Sequence, residues 1–152
     1  FPGRQRRFRF IPRTGARRRT TRQAAIVRLV APHIGQLTSA GGTDLDADAS
    51  LENHPGVLFD AVVLPQGEAA MGKLANDPKA REFLQDQFMH CKTILASRDA
   101  EPLLRKAGIL AKDETAPGVI VSDVIDDAAV QAFIQALAKH RHFERESLML
   151  MA

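Results

Sequence analysis

Apolar segments that stop at a proline or glycine turn and lead into helical segments constrain the fold of this chain most strongly. The clearest example is residues 57–64 (VLFDAVVL), which run into Pro65, Gln66 and Gly67 ahead of a helix predicted over residues 68–74. A strand that is apolar on both faces is typical of a parallel sheet covered by helices on both sides. The pattern therefore predicts a βα unit.

Further strands and helices are predicted around this unit. The strands are residues 25–31 (AIVRLVA), 93–97 (TILAS) and 119–122 (VIVS), with a short extended piece at 35–39. The helices run from Asp77 to about His90, over residues 101–107, and from Asp126 or Asp127 to Ala138. Residues 140–152 are predicted to be irregular. Alternating strands and helices indicate an α/β fold with right-handed crossovers.

Charge divides the chain into two parts. Residues 1–22 contain nine arginines and no acid, whereas residues 23–152 contain 12 of the 21 basic and all 18 acidic residues, a formal net charge of −6. The self-repelling leader 1–22 is predicted to be disordered, and residues 23–152 to form the folded domain. Because clustered arginines lie beside Phe8 and Phe10, one open interpretation of the leader is an arm that binds nucleic acid. We favour a linker, or a stretch outside the natural reading frame.

Reactive side chains are scattered singly along the sequence. The single cysteine, Cys91, excludes an internal disulfide and a cysteine-based zinc site, and makes a reducing, cytoplasmic location the default. His140 and His142 lie at the predicted end of a helix, where cationic side chains suit the helix dipole, and no third metal ligand accompanies them. Three aspartates alternate over residues 44–48 but lack the glycine and glutamate of a calcium loop. The sequence predicts no metal site.

Five blocks of sequence, taken in order, carry a resemblance to a known family. They are residues 30–39 (VAPHIGQLTS), 58–65 (LFDAVVLP), 90–96 (HCKTILA), 103–109 (LLRKAGI) and 138–145 (AKHRHFER). Together they resemble the C-terminal domain of large-subunit (clade II) haem catalases over roughly residues 24–150. The last block is the most specific, because it looks like the Ala-x-His-Arg-x-Phe/Trp-x-Arg end of that domain. The resemblance implies a flavodoxin-like three-layer sandwich, related to class I amidotransferase-like and ThiJ/PfpI proteins, in which the leader replaces the family's first βα unit.

The same resemblance implies a non-catalytic, stabilising function within an enzyme that decomposes hydrogen peroxide. Its partners would be the haem core and the sister subunits of a tetramer. The haem belongs to that core, which supplies a distal His and Asn and a proximal Tyr, and this chain contains no tyrosine. We therefore assign no catalytic, cofactor-binding or metal-binding residue to this chain. Residues 148–151 (LMLM) are interpreted as a packing or subunit-contact segment.

ThiJ/PfpI relatives suggest an alternative function, a free-standing hydrolase or chaperone. They carry a cysteine nucleophile on a strand-to-helix turn, and the position that matches in this chain is Ser97. No base is identifiable for it, so we interpret Ser97 as a vestige of that turn. Cys91 lies at the opposite end of the same predicted strand, and rapid reaction of a low-pKa thiol there would favour the enzyme. Binding of nucleic acid through the leader is the second alternative.

Overall fold

The structure of the protein, a computed structural model, describes residues 8–9, 27–38, 44–112 and 114–150. Its strands are β1 (Phe8–Arg9), β2 (Leu29–Ala31), β3 (Gln36–Thr38), β4 (Asp44–Asp46), β5 (Ala49–Ser50), β6 (Ala61–Leu64), β7 (Thr93–Ser97) and β8 (Val119–Ser122). Its α-helices are α1 (Glu68–Ala75), α2 (Pro78–Met89), α3 (Glu101–Lys106), α4 (Asp127–Leu137) and α5 (Glu144–Leu150). Two single 3₁₀ turns, Gly56–Leu58 and Arg98–Ala100, complete these elements.

A parallel sheet of β6, β7 and β8 is the centre of the domain, with β7 in the middle. Successive residues of a strand face opposite sides of a sheet, so Val62 and Leu64 pack under α1, α2 and α3, while Val63 packs under α4. Five consecutive buried residues make up β7. The predicted α/β fold with helices on both faces is confirmed.

Local signals in the sequence position the helices. The Asp77 side chain accepts a hydrogen bond from the Lys79 N–H at 2.9 Å, and Asp126 accepts one from the Ala129 N–H at 2.9 Å, which caps α2 and α4 as predicted.

The predicted irregular tail is wrong, because residues 144–150 form α5. None of the helices in the described part of the chain is long and apolar enough to cross a membrane.

The strand predicted over residues 57–64 is also wrong in its first half. Gly56 lies so close to α2 that a Cβ atom on it would stand 2.1 Å from the Phe83 carbonyl oxygen. The Gln87 amide donates to the carbonyls of Gly56 and Phe59, at 2.5 and 2.8 Å. These bonds hold residues 56–58 as a 3₁₀ turn against α2, so the strand begins only at Ala61.

The region before β6 differs from its prediction as well. The strand predicted over 25–31 is described only as β2, which pairs in parallel with β5. Two of the three alternating aspartates, Asp44 and Asp46, lie in β4, which pairs antiparallel with β3 through Gln36↔Asp46. This pairing is made by backbone hydrogen bonds, which every residue except proline can form on both sides.

The Arg-rich leader contributes one described element, β1. It pairs antiparallel with β2 through Phe8↔Val30 and Arg9↔Leu29, and it also lies beside β6. The disorder predicted for residues 1–22 stays a prediction, because Phe8–Arg9 is all of this segment that the structure describes. The other residues of the leader, and the predicted domain boundary at residue 23, lie outside the described residues.

Candidate functional site

The carboxyl ends of β6, β7 and β8 meet at one edge of the sheet, where open α/β folds usually bind ligands. Ser97, the expected vestige of a nucleophile turn, is the last residue of β7 and is fully buried. Its hydroxyl donates a hydrogen bond to the Pro65 carbonyl at 3.0 Å. Its backbone is extended, with φ −73° and ψ 161°. A nucleophile elbow requires a strained, exposed turn, and the buried, extended Ser97 has neither feature.

Charged groups near Ser97 form bonds with one another at the surface. Arg98 donates to Asp123 and to Glu101, the latter at 2.6 Å, and the hydrogen bond with Asp123 raises the pKa of Arg98. The Asp99 carboxylate accepts the Gly67 N–H at 2.8 Å and so joins the end of β7 to the start of α1. Exposed ion pairs of this type contribute little to stability. Among the described residues, the charged side chains at this end of the sheet therefore bond to other groups of the same fold.

Cys91 lies at the opposite, amino end of β7, in the turn that follows α2. It is buried and adopts φ 58°. Burial raises the pKa of its thiol, although the nearby Arg145 guanidinium acts in the opposite direction. A thiol that is buried and protonated at neutral pH reacts slowly. This environment disfavours Cys91 as the nucleophile of a hydrolase.

His142 is the first of several buried polar side chains that surround the amino end of β7. Its Nε2 atom is hydrogen-bonded to the Thr93 hydroxyl at 2.9 Å, and its backbone N–H donates to the Cys91 carbonyl at 2.7 Å. Gly118, at φ 79°, lies against the ring, and a Cβ atom there would stand 2.2 Å from His142 Cδ2. Burial lowers the pKa of His142, and Arg145 lowers it further. The imidazole is therefore held neutral.

Arg145, in the first turn of α5, is completely buried. Its guanidinium donates to the Phe88 carbonyl at 3.2 Å and to the Lys92 carbonyl, and its Cζ atom lies 4.9 Å from the centre of the Phe88 ring. Its Nε atom has no hydrogen-bond partner among the described residues. Burial lowers the pKa of Arg145 to about 10. Carbonyl dipoles and an aromatic face thus stabilise this charge.

Lys92 is the second buried cation at this end. It is 4% exposed, and its ammonium group donates to the carbonyls of Val57 and Phe59, both at 2.5 Å. Burial lowers its pKa, while Asp60 acts to raise it. We call Cys91, Lys92, Thr93, His142 and Arg145 the C-terminal polar cluster. It joins the turn before β6, the start of β7 and α5.

His140 and His142 lie in different surroundings. His140 is exposed at φ 67°, whereas His142 points into the C-terminal polar cluster. No group of three or more His, Cys, Asp or Glu side chains in the described ranges could hold a metal ion. The interpretation of His140 and His142 as structural residues near the end of a helix stays a prediction.

Comparison with known proteins identifies the family. Residues 14–147 match the family described as the C-terminal domain found in long catalases. The chain belongs to this family. The predicted resemblance to large-subunit catalases is confirmed.

The curated relatives of this catalase C-terminal domain are much longer proteins. Catalase C of Rhizobium meliloti is 37% identical over 126 residues, which cover 82% of this chain and 17% of the relative. Catalase HPII of Mycobacterium avium is 33% identical over 144 residues, covering 82% and 19%. Catalase HPII of Pseudomonas putida is 30% identical over 119 residues, covering 78% and 16%. The chain therefore spans less than a fifth of each of these relatives.

Solved structures confirm the flavodoxin-like fold. A two-domain protein from Anabaena variabilis, with DJ-1/ThiJ/PfpI-like and ferritin-like domains, matches with a TM-score of 0.66 and 17% identity, over 81% of this chain and 43% of that one. A ThiJ/PfpI domain protein from Brachyspira murdochii matches with a TM-score of 0.59 and 14% identity, over 72% and 78%. At these identities the likeness shows the fold alone.

Sequence reasoning missed most of the C-terminal polar cluster. One signal was present, because Arg145 closes the block 138–145 that marks the family. Its burial depends on the carbonyls of Phe88 and Lys92, 57 and 53 residues earlier in the chain. Contacts at that separation have no local pattern in the sequence.

Proposed function

We propose that this catalase C-terminal domain is a non-catalytic, stabilising part of a large-subunit catalase. The observation that carries the proposal is the burial and hydrogen bonding of the Ser97 side chain. The fold is shared with ThiJ/PfpI proteins, yet the end of β7 holds a buried hydroxyl that donates to the Pro65 carbonyl at 3.0 Å. The chain belongs to a family of domains found in long catalases, so a long catalase is the larger protein in which we expect it to act. Fold alone does not assign an activity.

In this proposal the domain adds subunit contacts and covers the haem core of a tetrameric, peroxide-decomposing enzyme. The residues of this chain do not fit a haem of their own, because the sequence contains no tyrosine for the proximal position that the resemblance implies. The haem would be held by the part of a long catalase outside this domain. We also propose a cytoplasmic location, since the single cysteine is free and buried.

The most direct test places the domain in a host catalase. The 126-residue region matched in Rhizobium meliloti Catalase C would be deleted in one variant and replaced by residues 23–152 of this chain in another. We expect deletion to shorten the half-life of the peroxide-decomposing activity at elevated temperature, and replacement to restore it. Turnover per haem should be similar in all folded forms, because the domain contributes no catalytic group.

Two results would contradict the proposal. One is a deletion variant whose heat stability and oligomeric state, measured by light scattering, equal those of the intact host. The other is activity in the isolated chain, seen as stoichiometric haem binding with a Soret band or as oxygen release from peroxide above the buffer rate. The isolated chain also serves as the control for any catalysis that it brings to the chimera.

A further inference from the structure

Helix α5 buries a cation and exposes apolar side chains. Arg145 is completely buried, whereas Leu148 and Leu150 are 50% and 88% exposed. A helix on the surface of a globular protein normally buries its apolar side chains and exposes its charged ones. The exposed side of α5 therefore carries the apolar side chains of Leu148 and Leu150 beside the exposed Glu144, Glu146 and Ser147.

Other exposed apolar side chains gather around the same end of the sheet. Lys92 donates to the Val57 carbonyl, Arg145 to the Phe88 carbonyl, and the His142 N–H to the Cys91 carbonyl. These bonds bring three separate segments together, each with apolar side chains in contact with solvent. Of the eight large apolar residues that are exposed in the described ranges, six lie on these segments: Val57, Leu58, Met89, Phe143, Leu148 and Leu150. We call these six the amino-end apolar patch.

A neighbouring part of the same protein is the occupant that the comparisons favour. Monomeric proteins rarely leave a large apolar patch open to water, and interfaces between domains of one chain cover such surfaces. The chain accounts for 16–19% of the three catalases described above, so most of each relative lies outside the matched region.

We propose that the amino-end apolar patch is the surface on which this domain packs against the haem-bearing remainder of a long catalase chain. This inference rests on the proposed function and adds the face of contact. The other two exposed apolar residues in the described ranges, Ile34 and Val124, lie on other segments of the chain. Ile34 is in the connection between β2 and β3, and Val124 follows β8 at the carboxyl end of the sheet.

Substitutions in the chimera with Rhizobium meliloti Catalase C test the proposed surface. The patch variant combines Leu58→Ser, Phe143→Ser and Leu148→Ser, and the matched control combines Ile34→Ser and Val124→Ser. All five side chains are at least half exposed in the described structure, so urea unfolding of the isolated chain should change little in either variant. In the chimera, the patch variant should shorten the half-life of heat inactivation at least fivefold, and the control should leave it unchanged.

The possible outcomes distinguish failure of the proposed contact surface from failure of the proposed function. Equal half-lives for the unsubstituted and patch-variant chimeras, with heat stability restored in both, would overturn the proposed surface and leave the proposed function standing. Failure of the unsubstituted chimera to regain heat stability would count against the proposed function itself. A dimer of the isolated chain that the patch variant dissociates in sedimentation, with no effect in the chimera, would assign the patch to a second copy and overturn the proposal. Pseudomonas putida Catalase HPII is the second host if the first chimera does not fold.

Discussion

The two ends of β7 bury different kinds of group. At the carboxyl end, Ser97 makes one hydrogen bond to a carbonyl, and the charged side chains around it pair at the surface. At the amino end, His142, Lys92 and Arg145 are all buried, and the two cations bind backbone carbonyls. Ligand sites in open α/β sheets form at the carboxyl end. In the described part of this domain the buried cations, Lys92 and Arg145, lie at the other end, and Arg145 fastens the C-terminal helix there.

The buried cations at the amino end connect separate segments of the fold. Burying a cation is costly unless polar groups surround it, and Arg145 and Lys92 are satisfied mainly by carbonyls of other segments. Such bonds form only when α5, the turn before β6 and the start of β7 are all in place. The C-terminal polar cluster should therefore contribute to cooperative folding, whereas the carboxyl end should tolerate substitution.

The largest effect is expected at Gly118. In Gly118→Ala, the new Cβ would stand 2.2 Å from the His142 ring, and the backbone is held at φ 79°, which favours glycine. Overpacking and backbone strain together should lower the free energy of unfolding by about 3 kcal/mol. The matched control is Gly72→Ala in α1, where a Cβ meets nothing within 4 Å. Urea unfolding should show the control unchanged or more stable by about 0.5–1 kcal/mol. Equal stability of the two variants would contradict the described packing of His142.

A pH dependence should arise from the amino end. The pKa of His142 is lowered below its usual value of 6.5 in the folded protein, so the unfolded chain binds a proton more readily. The free energy of unfolding should then be greatest above pH 6.5 and fall as the pH drops below it. His142→Gln should flatten this dependence, while His90→Gln, at an exposed position, should keep it. An unchanged slope in His142→Gln would assign the acid sensitivity to other groups.

The sequence predicted the parts of the fold that rest on local chemistry. Asp77 and Asp126 gave the helix starts, and the apolar segment at 93–97 gave β7, because a cap or a buried strand has a short-range pattern. The turn at residues 56–58 and helix α5 were missed, since both depend on partners far along the chain. Gly56 is shaped by α2, and α5 is fastened by Arg145 to Phe88 and Lys92.

A smaller effect is expected at Ser97. Ser97→Ala should lower the free energy of unfolding, because the Pro65 carbonyl would lose its donor. The loss should be about 1 kcal/mol in urea unfolding. Any trace of ester hydrolysis by the chain should stay within error. A fall of more than about tenfold in that hydrolytic rate would show that Ser97 takes part in chemistry.

The reactivity of Cys91 tests most directly whether the amino end is structural. Its thiol is buried beside His142 and Arg145, and burial raises its pKa. We predict that Ellman's reagent modifies Cys91 in the native chain at least about 100-fold more slowly than a free thiol, because a buried, protonated thiol is a poor nucleophile. The rate should rise with urea in step with unfolding. Rapid stoichiometric modification of the native chain near neutral pH would reveal an accessible, low-pKa thiol, and would contradict the account in favour of a ThiJ/PfpI-like enzyme.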